Sequence, residues 1–142
     1  MMIPLADERE KVIVNLVHTY NVLLDITQSV LKAFNINDQH YNILKVLEYS
    51  YPKPLSVGEI KDMLVNKRGD LTRLIDKLTA MKLVARETNA TNRRVIDVAL
   101  SEHGKQTLAN MDAQLATQRT QQYNLSEEEA KQLNTLLDRL RG

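Results

Sequence analysis

Apolar residues recur at every third or fourth position through the first part of the chain, a spacing typical of amphipathic α-helices. The pattern predicts a long first helix over about residues 7–34 and a second helix over about residues 38–49. Asp38 is the expected N-cap of the second helix, since its carboxylate can accept hydrogen bonds from the free amides of the first turn. Pro52 and Pro54 should end that helix, because proline cannot continue it.

Two short helices are predicted next. Ser56 and Glu59 have the spacing of a capping box, so a third helix should follow Ser56 and run to about Val65. Asn66 is expected to cap a fourth helix. Its predicted buried face consists of Leu71, Leu74, Ile75, Leu78 and Met81. Two short helices so close in sequence, the second with a basic outer face, are typical of a helix-turn-helix.

The hydrophobic period then changes from that of a helix to that of a strand. Residues 83–87 and 95–100 are predicted strands. The polar segment 88–93 between them is a predicted turn, in which Asn89 and Asn92 tolerate positive φ. These segments together indicate a β-hairpin with a basic tip.

Two further helices are predicted to complete the chain. Ser101 should cap the first, and Ser126 with Glu129 forms a second capping box at the start of the last. With 142 residues and aromatic residues at only 4%, the chain is expected to form one domain packed by aliphatic side chains. The predicted fold is therefore mainly α with a small β-hairpin (α+β).

The composition excludes several kinds of chemistry. The chain contains no cysteine, so disulfides, zinc–thiolate sites and thiol nucleophiles are impossible. The sequence has neither a secretory signal nor an apolar run of about 18 residues, so we expect a cytoplasmic protein that does not enter a membrane.

Charge is distributed unevenly along the chain. The net charge is only +1, but residues 66–94 carry eight basic and three acidic side chains, a local net charge of +5. The remainder of the chain has a net charge of −4. A polyanion would therefore be attracted to one segment and weakly repelled by the rest.

The order of the predicted elements resembles that of the MarR family of bacterial winged-helix transcriptional regulators. Three segments carry the resemblance: DLTRLIDKL at residues 70–78, LVAR at 83–86 and NRRVIDVALSEHG at 92–104. They resemble the recognition helix of the family, its first wing strand, and its wing with the second strand and following helix. Two positions differ, since the family often has aspartate at Asn92 and usually has glycine at Lys82.

The resemblance implies a winged helix-turn-helix whose N- and C-terminal helices form a dimerisation lobe. The expected single domain then comprises dimerisation helices in residues 1–34 and 101–142 and a DNA-binding lobe in residues 35–100. The terminal helices are also more apolar than a lone winged helix requires, which favours a homodimer. The alternative is that these helices pack only within their own subunit.

A recognition helix places side chains against base edges in the major groove, and a wing places arginine in the minor groove. The expected contacts are Arg68, Asp70 and Arg73 to bases, Lys67, Thr72 and Lys77 to the backbone, and Arg94 with Arg93 to the minor groove. A homodimer would present two such helices about 34 Å apart to pseudopalindromic double-stranded DNA. The alternative is that the basic residues form an ordinary solvated helix face.

Regulators that resemble this family often bind a small anionic or aromatic effector between the dimer helices and the DNA-binding lobe. His18, Tyr20, His40 and Tyr41 lie on the elements that would line such a cleft. Histidine and tyrosine at apolar helix positions are more often core residues with satisfied hydrogen bonds. The resemblance thus implies a repressor that a small ligand releases from its operator.

Other functions are less well supported by the sequence. There is no HExxH metal motif, glycine-rich phosphate loop or GxSxG nucleophile motif, so we expect no metal, no cofactor, no catalytic residue and no enzymatic activity. Ser56 and Ser126 are better explained as helix caps than as nucleophiles. The main alternative is a winged-helix protein-interaction module that does not bind DNA, and a small hydrolase would need a catalytic cluster that the sequence lacks.

Overall fold

The computed structural model describes residues 7–120 and 124–142. Within these residues the chain forms six helices and three strands. They are α1 (Glu8–Lys32), α2 (Asp38–Ser50), β1 (Leu55–Ser56), α3 (Val57–Met63), α4 (Leu71–Ala80), β2 (Val84–Thr88), β3 (Ile96–Leu100), α5 (Glu102–Thr120) and α6 (Glu127–Arg141). The predicted fold class, mainly α with a small β-hairpin wing, is confirmed.

The N-cap of α2 is Asn37, so the prediction of Asp38 was wrong. Asn37 has an extended backbone, and its side-chain oxygen accepts hydrogen bonds from the amides of Gln39 and His40 at 3.0 and 3.2 Å. His40 Nδ1 accepts the Asn37 amide proton in return at 3.1 Å, which completes a capping box. Asp38 is already helical, and its carboxylate accepts from Gln28 of α1 at 2.7 Å.

The helix that follows the helix-turn-helix loop begins later than predicted. Its N-cap is Asp70, whose carboxylate accepts from the Arg73 amide at 3.3 Å. Asn66 instead accepts from the amide of Arg68 at 3.0 Å within the loop. Gly69 has a φ of +86°, which interrupts the helical backbone between these two candidate caps. Arg68 therefore lies before the helix and not on it.

Of the two predicted capping boxes, only the one at Ser126 is complete, since Glu59 makes no return bond to the Ser56 amide. Ser56 Oγ accepts from the Glu59 amide at 3.1 Å and begins α3, which ends at Met63 and not at Val65. Ser126 and Glu129 form both bonds of their capping box, at 3.1 and 2.8 Å. Both serines therefore act as helix caps.

The hairpin pairs with a third, very short strand. The three strands lie in the order β1-β3-β2, all antiparallel, with Leu55 opposite Val98 and Val84 opposite Leu100. The sequence did not predict β1, because two residues are too few to show an alternating pattern. Its pairing joins the start of α3 to the wing.

The hydrophobic core occupies the middle of the chain. It packs the last third of α1 against α2 and α5, and closes over α3, α4 and the sheet. The side chains with the least exposure are Leu31, Ile43, Leu44, Ile60, Ile75, Leu78, Leu83, Val98, Leu108, Met111 and Leu115. Residues 127–141 of α6 contribute no buried side chain. In the described part of the chain, no helix has the length and apolar character needed to cross a membrane.

Candidate nucleic-acid interface

The outer face of α4 is polar and exposed, and its inner face fixes it to the core. Ile75 and Leu78 are 1% and 0% exposed, and the partly buried Leu71 and Leu74 pack beside them. Arg73, one residue from Leu74, lies in solvent. The helix therefore holds Arg73 outward on a support that is rigid because its other face is buried.

The loop before α4 is held by a side chain that the sequence analysis did not single out. Gln39, in the first turn of α2, donates from Nε2 to the carbonyl oxygen of Arg68 at 3.3 Å. A Cβ built on Gly69 would lie 3.1 Å from Gln39 Oε1, so the glycine makes room for this contact. Lys61 and Lys67 line the same surface depression. Gln39 thus positions the basic residues that precede the helix.

The wing is fastened to α4 by an ion pair between Arg86 of β2 and Asp76 of α4. An open groove lies between the two elements, and its lining is Val57, Thr72, Ile75, Arg86, Glu87, Thr88 and Ile96. Because α4 and the hairpin form the two walls of this groove, they flank the same region of the surface. Arg86 belongs to the basic segment, but its charge is paired with Asp76 of the same subunit.

The tip of the wing is built from asparagine side chains. The Asn89 side-chain oxygen accepts from the amides of Thr91 and Asn92 at 2.9 and 3.0 Å. Asn92 in turn accepts from the amide of Arg94 at 3.1 Å. Neither asparagine has a positive φ, so the turn does not use the conformation that asparagine tolerates. Asn92 therefore orders the backbone of the tip and leaves the guanidinium groups of Arg93 and Arg94 in solvent.

The sequence predicts six cations at this interface. Within residues 7–120 and 124–142, none of the six makes an ion pair: Lys67, Arg68, Arg73, Lys77, Arg93 and Arg94. Lys77 is half-buried and lines a cavity with Lys32 and His40, apart from the exposed outer face of α4. Asp70 is used as a helix cap, which limits its freedom to contact a base.

The four candidate effector residues have two different environments. His18 and Tyr20 lie exposed on α1, with Tyr20 53% exposed. His40 is buried and serves the capping box, and burial, followed by the positive charge of Lys77, lowers its pKa. Tyr41 is buried, and burial together with its hydrogen bond to Asp112 raises its pKa.

Metal binding has no candidate site in the portion that the structure describes, where no group of three or more histidine, aspartate or glutamate side chains is arranged around a common point.

The fold and this surface define a winged helix-turn-helix protein. A sequence model described as the MarR family matches residues 34–95. The chain is 24% identical over 137 residues to the HTH-type transcriptional regulator MhqR of Bacillus subtilis, covering 96% of this chain and 93% of that one. The resemblance inferred from the sequence is confirmed: the MarR family model matches the winged-helix part of the chain, and the curated relative is a transcriptional regulator.

Solved structures have the same architecture. The MarR transcription factor of Planctomyces limnophilus superposes with a TM-score of 0.72 at 27% identity, covering 99% of this chain and 98% of that one. A mutant MarR of E. coli, crystallised in complex with operator DNA, superposes with a TM-score of 0.75 at 23% identity, covering 95% and 99%. The fold therefore extends over both the winged helix and the terminal helices.

Proposed function

We propose that the protein is a homodimeric transcriptional repressor that binds a pseudopalindromic operator in double-stranded DNA. The observation that carries the proposal is the joint placement of α4 and the wing as two walls of one groove, with ion-pair-free arginines on both elements. The likeness to a family member crystallised on operator DNA supports it.

In the proposed complex, α4 enters the major groove with its N-terminal half foremost. Arg73 then contacts base edges, because it projects from the first turn of a helix whose opposite face is buried. Thr72 and the loop residues Lys67 and Arg68 face the phosphates that flank the groove. The sequence predicted a base contact for Arg68. Because Arg68 precedes the helix, we propose a contact to the DNA backbone instead.

The wing contributes a second contact of a different kind. Arg94, assisted by Arg93, reaches the neighbouring minor groove, where the narrow width of A·T-rich DNA concentrates negative potential. The ion pair between Asp76 and Arg86 holds the hairpin against α4, so both contacts are offered in a fixed relation. Lys77 lies beside the α1–α2 junction, so it would contact the DNA backbone only if the DNA extended along that junction.

Dimerisation is supported by apolar surface that the subunit itself leaves uncovered. Large apolar side chains of α1 and α6 are 38–56% exposed, namely Val12, Ile13, Leu16, Val17, Tyr20, Val22, Leu23, Leu133, Leu136 and Leu140. Helix-to-helix burial across a two-fold axis would remove this area from water and place two copies of α4 about 34 Å apart.

Relief of repression by a small anionic or aromatic effector completes the proposal. His18 and Tyr20 can offer polar atoms to the effector, since both lie exposed on α1. The polar atoms of His40 and Tyr41 are hydrogen-bonded within the chain, so these two residues would only line the effector cleft. Tyr20→Phe should weaken an effector's release of DNA without changing DNA affinity in its absence.

Selection of bound sequences from random duplex DNA tests the proposal directly. Recovery of a site with two-fold symmetry is the expected result. Failure to enrich any sequence, with an affinity that is flat between low and moderate salt, would contradict it, because phosphate contacts make binding strongly salt-dependent. That outcome would instead favour a winged-helix module for protein interaction.

A further inference from the structure

One carboxylate joins the winged-helix lobe to the long helix that follows it. Asp112 lies in the middle of α5 and accepts a hydrogen bond from the Tyr41 hydroxyl at 2.5 Å through Oδ1. Its other oxygen, Oδ2, accepts from Lys45 Nζ at 2.9 Å. Tyr41 and Lys45 are one turn apart on α2, so both oxygens of a single side chain on α5 are bound to one face of α2.

Helix α5 has two sets of attachments along its length. Its first turn is fixed to the lobe, since Ser101 Oγ donates to the Lys82 carbonyl at 2.6 Å and accepts from the Gly104 amide at 2.9 Å. Its last turns are attached to α1, since Arg119 donates to the Thr27 hydroxyl at 3.2 Å. Between these two ends, Asp112 hydrogen-bonds α5 to α2.

We propose that Asp112 is a positioning residue that sets the angle between the winged-helix lobe and the dimerisation helices, and thereby the operator spacing that the dimer accepts. The part that concerns DNA rests on the proposed function. The part that concerns the angle rests only on the contacts of Asp112, Tyr41 and Lys45.

A small change in this angle has a large effect at the DNA. The 19 residues of α5 span about 28 Å at 1.5 Å per residue. A tilt of about 7° therefore moves its far end by about 3.4 Å, which is the rise of one base pair. Loss of the Asp112 contacts should accordingly broaden the range of half-site separations that the protein tolerates.

The environment of Asp112 holds its two hydrogen bonds in place. Its side chain is 33% exposed and Lys45 is 38% exposed, so their ion pair is partly shielded from water. Tyr41 is 9% exposed and its ring packs in the core, which fixes the position of its hydroxyl. A charged acceptor held by a rigid donor and a cation gives directional bonds, which is what sets an angle.

Distance measurement within one chain tests the angle itself. The natural sequence has no cysteine, so Ala90→Cys on the wing and Gln118→Cys near the end of α5 introduce the sole sites for spin labels. Labelled chains are diluted with unlabelled ones so that intrachain distances dominate. Asp112→Ala and Tyr41→Phe should each broaden or shift the distance distribution, and an unchanged distribution in both variants would refute the proposal.

Glu48→Gln is the matched control. Glu48 accepts from the same Lys45 ammonium at 3.2 Å, but it leaves both bonds of Asp112 intact. This variant should keep the wild-type distance distribution. Tyr41→Phe keeps the test possible if Asp112→Ala does not fold. It removes only the hydroxyl that binds Asp112 and keeps the ring in the core.

Gel-shift titration on operators with one inserted or deleted central base pair tests the consequence. Asp112→Ala and Tyr41→Phe should reduce the penalty for a wrong spacing by about threefold to tenfold, and leave binding to a single half-site unchanged. A merely structural role would lower affinity equally for every spacing, and that result would contradict the proposal. If the wild type binds no operator, the proposed function fails, while the distance measurement still decides the role of Asp112.

Discussion

Gly104, in the first turn of α5, lies directly against the backbone of Leu83. A Cβ atom built on Gly104 would be 1.9 Å from the Leu83 carbonyl oxygen and 2.8 Å from its carbonyl carbon. Both neighbours are backbone atoms, so no side-chain rotation could relieve the overlap. The absence of a side chain at position 104 therefore allows α5 to approach the winged-helix lobe.

Gly104→Ala should destabilise the fold by about 3 kcal/mol or more, because the backbone itself would have to move. Chemical denaturation followed by circular dichroism measures the loss. Gly58→Ala is the control, since its Cβ would have only Ser56 Oγ nearby, at 3.9 Å. That change should be neutral or stabilise α3 by up to about 1 kcal/mol. Similar stabilities for both variants would contradict the packing argument.

Lys82 occupies a backbone conformation that glycine adopts more easily. Its φ is +61°, and its amide donates to the Thr79 carbonyl at 3.0 Å while the Leu83 amide donates to Leu78 at 3.0 Å. These two bonds form a Schellman motif that closes α4. Lys82→Gly should therefore raise the free energy of unfolding by about 0.5–1 kcal/mol.

Lys82→Ala separates the backbone effect from the loss of charge. It removes the same ammonium group but keeps a Cβ in the left-handed conformation, so we expect no gain in the denaturant midpoint. If the alanine variant were as stable as the glycine variant, the lysine side chain and not its φ would be the cause.

The elements could be predicted because periodicity is a local signal. The heptad-like stripe of α1 and the alternation in β3 each depend on neighbouring residues, and the structure has both elements. The ends were harder to predict where two capping residues lie close together. Asn37 and Asp38 are equally suitable N-caps by residue type, and only the backbone conformation distinguishes them.

The site could be predicted only in part. The excess of positive charge in residues 66–94 is visible in the sequence, and its cations other than Lys77 are exposed in the structure. The supporting contacts are not visible, because Gln39 reaches a carbonyl 29 positions away and Tyr41 reaches a carboxylate 71 positions away. Such pairs depend on how the helices pack, which one sequence does not encode in any local pattern.

Burial of His40 makes stability depend on pH. Its pKa in the folded chain lies below the ordinary value of 6.5, because burial and the charge of Lys77 disfavour the imidazolium, although Asp38 opposes them. Between those two pKa values the unfolded chain binds more protons than the folded chain. The stability that His40 permits is thus complete above pH 6.5, and falls as the pH decreases from 6.5 through the folded-state pKa.

His40→Gln should remove this part of the pH dependence. Glutamine can still accept the Asn37 amide in a capping box, but it does not titrate. Urea midpoints measured from about pH 8 to about pH 5 should decline less in the variant than in the wild type. His103→Gln, an exposed position on α5, should leave the wild-type decline in place. Equal declines in wild type and His40→Gln would show that another group is responsible.

The uncovered apolar face of α6 predicts that a charge there will separate the subunits. Leu136 is 56% exposed in the isolated chain, and Leu136→Glu would bury a carboxylate in the proposed interface. The dimer dissociation constant should rise by about 100-fold or more, as measured by sedimentation velocity. Tyr49→Glu, at a position 84% exposed on α2, is the control and should leave the dimer intact. A Leu136→Glu protein that remains dimeric at the same concentration would exclude α6 from the interface.

Arg73 on α4 and Arg94 on the wing should both contribute to operator binding. Arg73→Ala and Arg94→Ala should each weaken binding by about 1–3 kcal/mol, or about 5- to 150-fold, with unchanged circular dichroism. The losses should differ in kind. In the proposed complex Arg73 contacts bases in the major groove, so its removal should relax the base preference at a few positions of the site. Arg94 is proposed to enter a narrow minor groove, so its removal should weaken binding to A·T-rich flanks most.

Arg9→Ala is the control for these arginines, because Arg9 is 94% exposed at the start of α1, outside the basic segment. Titration by gel shift at several salt concentrations measures all three variants. Lys67→Ala should reduce the slope of log affinity against log salt by about 1, as expected for one phosphate contact. If Arg73→Ala and Arg94→Ala bind like Arg9→Ala, the groove between α4 and the wing does not face DNA, and the basic segment must serve another partner.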